Sequence, residues 1–213
     1  MGLCQGCGIS DTILLGEFFP LDVAPSATRA KLFAGSGAVP ASSKKAIFSV
    51  TAFIDFQCEK CRVRTPQVRD FAWTHGGELA VRFLPLVKIH NWAFAAAESA
   101  AALAAVSPAL YPKYEDAIFA RAAAMDEKAA RDVATDIAEA AGVGEAFAAE
   151  LSSGRARDLV IGDINLGLRL GVNGTPVFFY RGAWLTAEPD LAENFIEARL
   201  EEASKPAAKG SPR

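Results

Sequence analysis

The chain of 213 residues contains no apolar run that approaches the roughly 20 residues needed by a membrane-spanning helix. Its first residues also lack the basic and apolar stretches of a secretory signal peptide, so we expect no signal peptide at this start. Both a cytoplasmic and an extracytoplasmic location are compatible with these two absences.

The chain has no excess of basic residues either. Its 22 Lys and Arg residues stand against 25 Asp and Glu residues, which gives a net charge of −3. The basic residues do not cluster into a stripe, so a nucleic-acid-binding surface is not expected. A hydrophobic fraction of 51% and a charged fraction of 22% are ordinary for a globular protein. The length suits one large domain, or one domain with an insertion.

Cysteine is scarce, and all four cysteines fall in two C-x-x-C pairs, Cys4/Cys7 and Cys58/Cys61. Because no cysteine lies outside these pairs, a scattered framework of structural disulfides is excluded. The cysteines therefore indicate redox or metal chemistry.

A strand–helix–strand unit surrounds the second pair. The nearly continuous apolar segment 46–56 predicts a strand buried on both faces, and it ends just before Cys58. A helix is expected over 59–73, ended by Gly76 and Gly77, and a second strand over 79–84.

The remainder of the chain predicts a helical insertion followed by a hairpin. Segment 91–153 is rich in Ala with helical periodicity; Asn91 and Asp126 are expected as helix caps, Pro112 as a first-turn residue and Gly142 as a helix end. We then expect a helix over 155–170, two strands at 177–180 and 183–185, and a closing helix over 188–202.

The position of Cys58 at the start of a helix points to thiol chemistry. Unpaired N–H groups and the positive end of the helix dipole stabilise a thiolate there. We expect Cys58 to be the attacking thiol and Cys61, one turn later, to be the resolving thiol. Half of a zinc site is the alternative, although zinc pairs usually lie on tight knuckles rather than after a buried strand.

A second signal is the segment Gly174-Thr175-Pro176 directly before a predicted strand. A proline in this setting suits a cis peptide bond, and an ordinary trans proline at a strand start is the alternative.

Together, Phe53 to Cys61, the later Gly174-Thr175-Pro176 and the helical insertion between them resemble the DsbA-like branch of the thioredoxin superfamily. The resemblance implies an α/β, thioredoxin-like fold with an inserted α-helical domain. It also implies that Cys58 is the nucleophile, that Cys61 resolves, and that Thr175 and Pro176 form part of a peptide-binding surface. No cofactor and no metal are expected.

This resemblance sets the expected domain boundaries. Residues 46–90 and 155–203 would form the thioredoxin-like domain and 91–154 the inserted helical domain. Residues 1–45 would be an irregular extension that carries the first C-x-x-C pair, and 204–213 a polar tail.

The resemblance also implies partners and a location. The partners would be protein thiol or disulfide substrates and a redox recycling partner, for which a membrane-bound protein is one candidate, with no nucleic acid. The location would be periplasmic or otherwise extracytoplasmic, with the cytoplasm as the alternative.

Three readings stay open for Cys4 and Cys7: an accessory redox pair that relays electrons to Cys58/Cys61, half of a metal site, or idle thiols. For the whole chain, the alternatives to an oxidoreductase are a non-catalytic zinc module that uses both pairs and a peptide-binding module on the same fold.

Overall fold

The computed structural model describes residues 39–40, 46, 48–180 and 183–185. Cys4 and Cys7, the expected closing helix over 188–202 and the polar tail over 204–213 therefore lie outside the described residues.

Among the described residues, five strands form one mixed sheet in the order β1-β3-β2-β4-β5. Their bounds are Val39–Pro40 (β1), Ser49–Ile54 (β2), Glu78–Phe83 (β3), Val177–Tyr180 (β4) and Ala183–Leu185 (β5). β2 pairs in parallel with β3 and antiparallel with β4, so Ala52 lies opposite both Val81 and Phe178. The expected central strand, buried on both faces, is confirmed, because every residue of β2 after Ser49 is buried.

Six α-helices are described: Glu59–Thr74 (α1), Ala93–Val106 (α2), Tyr111–Arg121 (α3), Glu127–Ala140 (α4), Gly144–Ser152 (α5) and Arg155–Arg169 (α6). Short 3₁₀ turns, Pro108–Leu110 and Ala122–Ala124, flank α3. The chain thus has the expected thioredoxin-like fold, with α2 to α5 inserted between β3 and α6. Within the described residues, no helix is both long enough and apolar enough to cross a membrane.

Helix α4 begins and ends at the expected sequence signals. Asp126 caps α4 by accepting a hydrogen bond from the N–H of Ala129 at 2.7 Å, and Gly142 after α4 adopts a φ of 73° that favours glycine. The expectation that Asn91 caps α2 is wrong. Trp92 precedes α2 without a side-chain cap, and the side-chain amide oxygen of Asn91 instead accepts a hydrogen bond from the side-chain amide of Gln57.

Helix α6 is fixed against the sheet by a buried ion pair. The Arg82 guanidinium on β3 lies 2.6 Å from one carboxylate oxygen of Asp163, and the other oxygen accepts the N–H of Phe83 at 3.0 Å. Gly167 allows the close approach, because a Cβ there would lie 3.1 Å from Leu84 and 3.3 Å from Phe53. Helix α6 therefore packs closely on the central strands of the sheet, one of which leads to Cys58.

A second polar link joins the inserted helices to α6. The half-buried guanidinium groups of Arg131 on α4 and Arg157 on α6 each lie 3.1 Å from the buried carboxylate of Glu98 on α2. Small Ala side chains cover most of α2 and let the surrounding helices pack closely on it.

Candidate active site

Cys58 occupies the N-cap position of α1, immediately after the central strand. Its N–H donates to the carbonyl of Asp55 at 3.1 Å, and its own carbonyl accepts the N–H of Arg62 at 3.1 Å as the first turn of α1 begins. The Cys58 side chain is partly exposed, whereas Cys61 is fully buried on the inner face of the helix. The two thiols of one C-x-x-C pair thus sit in different environments.

The environment of Cys58 favours its thiolate. Its pKa falls to about 5, chiefly because the Cys61 thiol donates a hydrogen bond to the sulfur, with further help from the backbone N–H groups of Cys61 and Lys60. Partial burial acts in the opposite direction and is outweighed. The neighbouring Glu59 and Arg62 lie 3.8 Å apart as an ion pair. Hydrogen bonds, rather than these flanking charges, lower the pKa of Cys58.

The environment of Cys61 favours its protonated thiol. Burial raises its pKa well above the ordinary value, and the negative charge on Cys58 raises it further. The backbone N–H of Asp55 lies 3.4 Å from the Cys61 sulfur and only partly offsets these effects. At neutral pH, the pair therefore holds one thiolate and one thiol in the reduced state.

Thr175 and Pro176, which directly precede strand β4, lie next to Cys58. The peptide bond between them is cis. The Cys58 sulfur lies 3.2 Å from the Thr175 carbonyl oxygen, to which the protonated thiol donates a hydrogen bond. The Thr175 hydroxyl is buried with no hydrogen-bond partner among the described residues, so it is available to a thiolate at Cys58.

Asp55 organises the loop beside the site. Its buried carboxylate accepts N–H groups from Gln57, Leu86 and His90, each at 2.7 Å. Sequence reasoning did not identify Gln57 as a partner of this loop, although its side-chain oxygen also accepts the N–H of Trp92 at 3.2 Å. The signal available was two polar residues, Asp55 and Gln57, at the end of an otherwise apolar strand.

The two histidines form their hydrogen bonds with groups other than the two sulfur atoms. His90 lies in the loop before α2 and contacts Asp55 rather than a sulfur atom. His75 is exposed at the end of α1, where its ring nitrogen lies 2.9 Å from the carbonyl of Phe71.

The described residues give the zinc alternative no support. Among them, no group of three or more His, Cys, Asp or Glu side chains is arranged to hold a metal ion.

Comparison with known protein families gives a match that covers most of the chain. A family model described as Thioredoxin matches residues 41–198. A comparison with curated proteins gives no match.

Solved structures of low sequence identity share the fold. The thiol-disulfide exchange protein alpha-DsbA2 from Wolbachia pipientis is 15% identical with a TM-score of 0.66; the match covers 84% of this chain and 97% of that one. BdbD from Bacillus subtilis is 16% identical with a TM-score of 0.65, covering 78% and 94%. A thioredoxin-like oxidoreductase from Silicibacter pomeroyi DSS-3 is 22% identical with a TM-score of 0.63, covering 84% and 99%.

Proposed function

Since this chain belongs to the thioredoxin family, we propose that it is a thiol–disulfide oxidoreductase that exchanges disulfides with protein substrates through Cys58 and Cys61. The observation that carries the proposal is the asymmetry of the pair. The accessible sulfur has a pKa of about 5, and its buried neighbour keeps its proton. Only a thiolate attacks a disulfide, so this arrangement selects Cys58 as the nucleophile.

The reaction follows from that selection. The Cys58 thiolate attacks one sulfur of a substrate disulfide, forms a mixed disulfide and releases the other substrate sulfur as a thiolate. Cys61 then loses its proton and attacks the Cys58 sulfur, which releases the second substrate sulfur and leaves a Cys58–Cys61 disulfide. The two electrons of the dithiol have passed to the substrate. The same steps in reverse oxidise a substrate dithiol.

Thr175 and Pro176 are proposed to bind the substrate backbone. The segment before β4 lies against Cys58, where an extended polypeptide would pass as its disulfide meets the thiolate. Recognition by main-chain pairing carries little sequence preference, which suits an enzyme that meets many different disulfides.

We assign 46–90 and 155–203 to the thioredoxin-like domain and 91–154 to the inserted helical domain.

The names of structurally similar proteins support the same activity. One is described as a thiol-disulfide exchange protein and another as a thioredoxin-like oxidoreductase. By family resemblance we propose an extracytoplasmic location and a separate redox partner that recycles the pair. Cell fractionation tests the location, since the proposal requires the protein outside the cytoplasm.

Insulin reduction with dithiothreitol as the electron source tests the activity. The wild-type protein is expected to accelerate precipitation of the insulin B chain, and Cys58→Ser is expected to abolish the acceleration. A Cys4→Ser, Cys7→Ser double variant serves as the matched control, because it removes two thiols and leaves the proposed site intact. Equal rates for the wild-type protein and Cys58→Ser would contradict the proposal.

A further inference from the structure

Exposed basic side chains are concentrated at the end of the sheet where Cys58 lies. Because β2 and β3 are parallel and β4 is antiparallel to β2, the ends of β2 and β3 meet the start of β4 there. Three connections therefore border the reactive sulfur: residues 55–58 between β2 and α1, 84–92 between β3 and α2, and 170–176 between α6 and β4. Charged residues on these connections, and on the helix turns next to them, set the electrostatic potential that an approaching substrate meets.

Lys60 is the first of these charges. It lies in the first turn of α1, and its N–H is one of the donors that lower the pKa of Cys58. Its side chain is exposed and forms no ion pair among the described residues. The neighbouring acid, Glu59, pairs instead with Arg62 at 3.8 Å, so it does not offset the charge of Lys60.

Lys88 is the second charge, and it lies in the connection between β3 and α2. Two hydrogen bonds hold this connection beside the site: His90 donates to Asp55 at 2.7 Å, and the Asn91 side chain accepts from the Gln57 side chain at 3.3 Å. Both partners belong to the three residues that precede the reactive cysteine. The Lys88 side chain is exposed, and it has no ion pair within residues 48–180.

Arg169 is the third charge, at the last residue of α6. Gly167, one residue before Leu168, brings this end of α6 close to Phe53 and Leu84, at the ends of β2 and β3 nearest the site. The connection that follows reaches Thr175, whose carbonyl oxygen lies 3.2 Å from the reactive sulfur. The exposed Arg169 side chain therefore borders the site, with no carboxylate partner in the described part of the chain.

Few acids offset these three side chains, which we call the basic rim: Lys60, Lys88 and Arg169. On the three connections, the first turn of α1 and the last turn of α6, the only described acids are Asp55 and Glu59. Asp55 is buried and accepts three N–H groups, and Glu59 is paired with a neighbouring arginine. The end of the sheet that carries the site is thus positive, whereas the whole chain has a net charge of −3.

We propose that the basic rim selects substrate polypeptides whose disulfide is flanked by acidic residues; this rests on the proposed function. The rim attracts an acidic segment and repels a basic one, and because it surrounds Cys58, the attraction brings the disulfide to the thiolate. The thiolate alone would repel an acidic segment, so the rim reverses the preference that the reactive group itself would impose. Main-chain pairing at Thr175 carries no charge preference, and the rim supplies the selection.

Three peptides of otherwise identical sequence, each closed by one disulfide, test the selection. The first carries Glu on both sides of the disulfide, the second carries Lys at the same positions and the third carries Gln. Reduction by the fully reduced protein, in a Cys4→Ser, Cys7→Ser background, is followed by acid quenching and chromatography. Each rate constant is divided by that of dithiothreitol with the same peptide, which removes differences in the intrinsic reactivity of the disulfides.

The ratio of the acidic to the basic peptide is the measured quantity. It should be on the order of tenfold at about 0.01 M salt, where the Debye length is about 30 Å. At about 1 M salt, where the Debye length is about 3 Å, the ratio should fall close to one. Lys88→Glu and Arg169→Glu should each lower the low-salt ratio roughly threefold. A general change in the reactivity of Cys58 cancels in this ratio.

Arg155→Glu is the matched control. Arg155 is an exposed residue at the other end of the same helix, about 21 Å along α6 from Arg169, so its reversal should leave the ratio unchanged. A low-salt ratio of one or less in the reference protein would overturn the proposal. A ratio that salt does not change, or one that Arg155→Glu lowers as much as Arg169→Glu, would overturn it as well. Failure to reduce any of the three peptides would instead refute the proposed function.

Discussion

The low pKa of Cys58 should depend on the thiol of Cys61, and a pair of substitutions isolates that dependence. Cys61→Ala removes the hydrogen-bond donor, whereas Cys61→Ser replaces it with a hydroxyl donor of similar size. In the wild-type protein the pKa of Cys58 is about 5, and the Cys61 thiol is the largest cause of the lowering. In a Cys4→Ser, Cys7→Ser background, Cys58 is then the only thiol left to titrate in either variant.

The expected change follows from the strength of a hydrogen bond to a charged group. Such a bond contributes about 1.5–3 kcal/mol, which corresponds to a pKa change of roughly 1–2 units. The pKa of Cys58 in Cys61→Ala should therefore rise to roughly 6–7. It should stay below that of a free thiol, because the backbone N–H groups of Cys61 and Lys60 remain at the start of α1.

Thiolate absorbance in the ultraviolet, followed against pH, gives the pKa directly, and the pH dependence of alkylation by iodoacetamide gives it independently. Cys61→Ser should titrate close to the wild-type value. If Cys61→Ala and Cys61→Ser titrate at the same low pH, the Cys61 thiol is not the main stabiliser of the thiolate. The start of the helix would then account for the low pKa.

Four other outcomes are expected. Cys61→Ser should accumulate mixed disulfides with protein substrates, seen as adducts on diagonal gels of cell extract; their absence would argue against protein substrates. In the reduced protein, the free energy of unfolding should rise relative to that of Cys58→Ser as the pH increases from about 5 to about 8.5, the pKa of a free thiol. In this pH range Cys58 binds a proton in the unfolded state but not in the folded state. Denaturation at several pH values measures this, and parallel curves would contradict it. Asp163→Ala should lower the free energy of unfolding by about 3–5 kcal/mol in urea titrations, because it removes a carboxylate from the buried Arg82; a loss below about 1 kcal/mol, the range of exposed pairs, would contradict that. Asp126→Ala should cost about 1 kcal/mol by the same assay through loss of a helix cap.

Much of the architecture could be predicted because it depends on local signals. The apolar strand before Cys58, the cap at Asp126 and the glycine at the end of α4 each act through neighbours a few residues away. The redox pair was predictable for the same reason, since its chemistry follows from the start of a helix after a buried strand.

The parts that could not be predicted depend on partners far apart in the chain. Asn91 reads as a helix cap, yet it bonds to Gln57, 34 residues away. Arg69 on α1 and Glu115 on α3 form a buried hydrogen bond although 46 residues separate them, and no sequence signal pointed to this pair. Charge type alone does not distinguish such buried partners from surface residues, because burial is decided by tertiary packing.

The contact between Cys58 and Thr175 spans 117 residues, and the segment that carries the inserted helices α2 to α5 lies within this span. Closing this loop costs conformational entropy that grows only with the logarithm of its length, so a loop twice as long would cost only about 0.6 kcal/mol more. The size of the insertion is therefore nearly free to vary while the two strand ends still meet at the sulfur. Helices could be added to or removed from this segment, provided that the carbonyl of Thr175 still reaches the Cys58 sulfur.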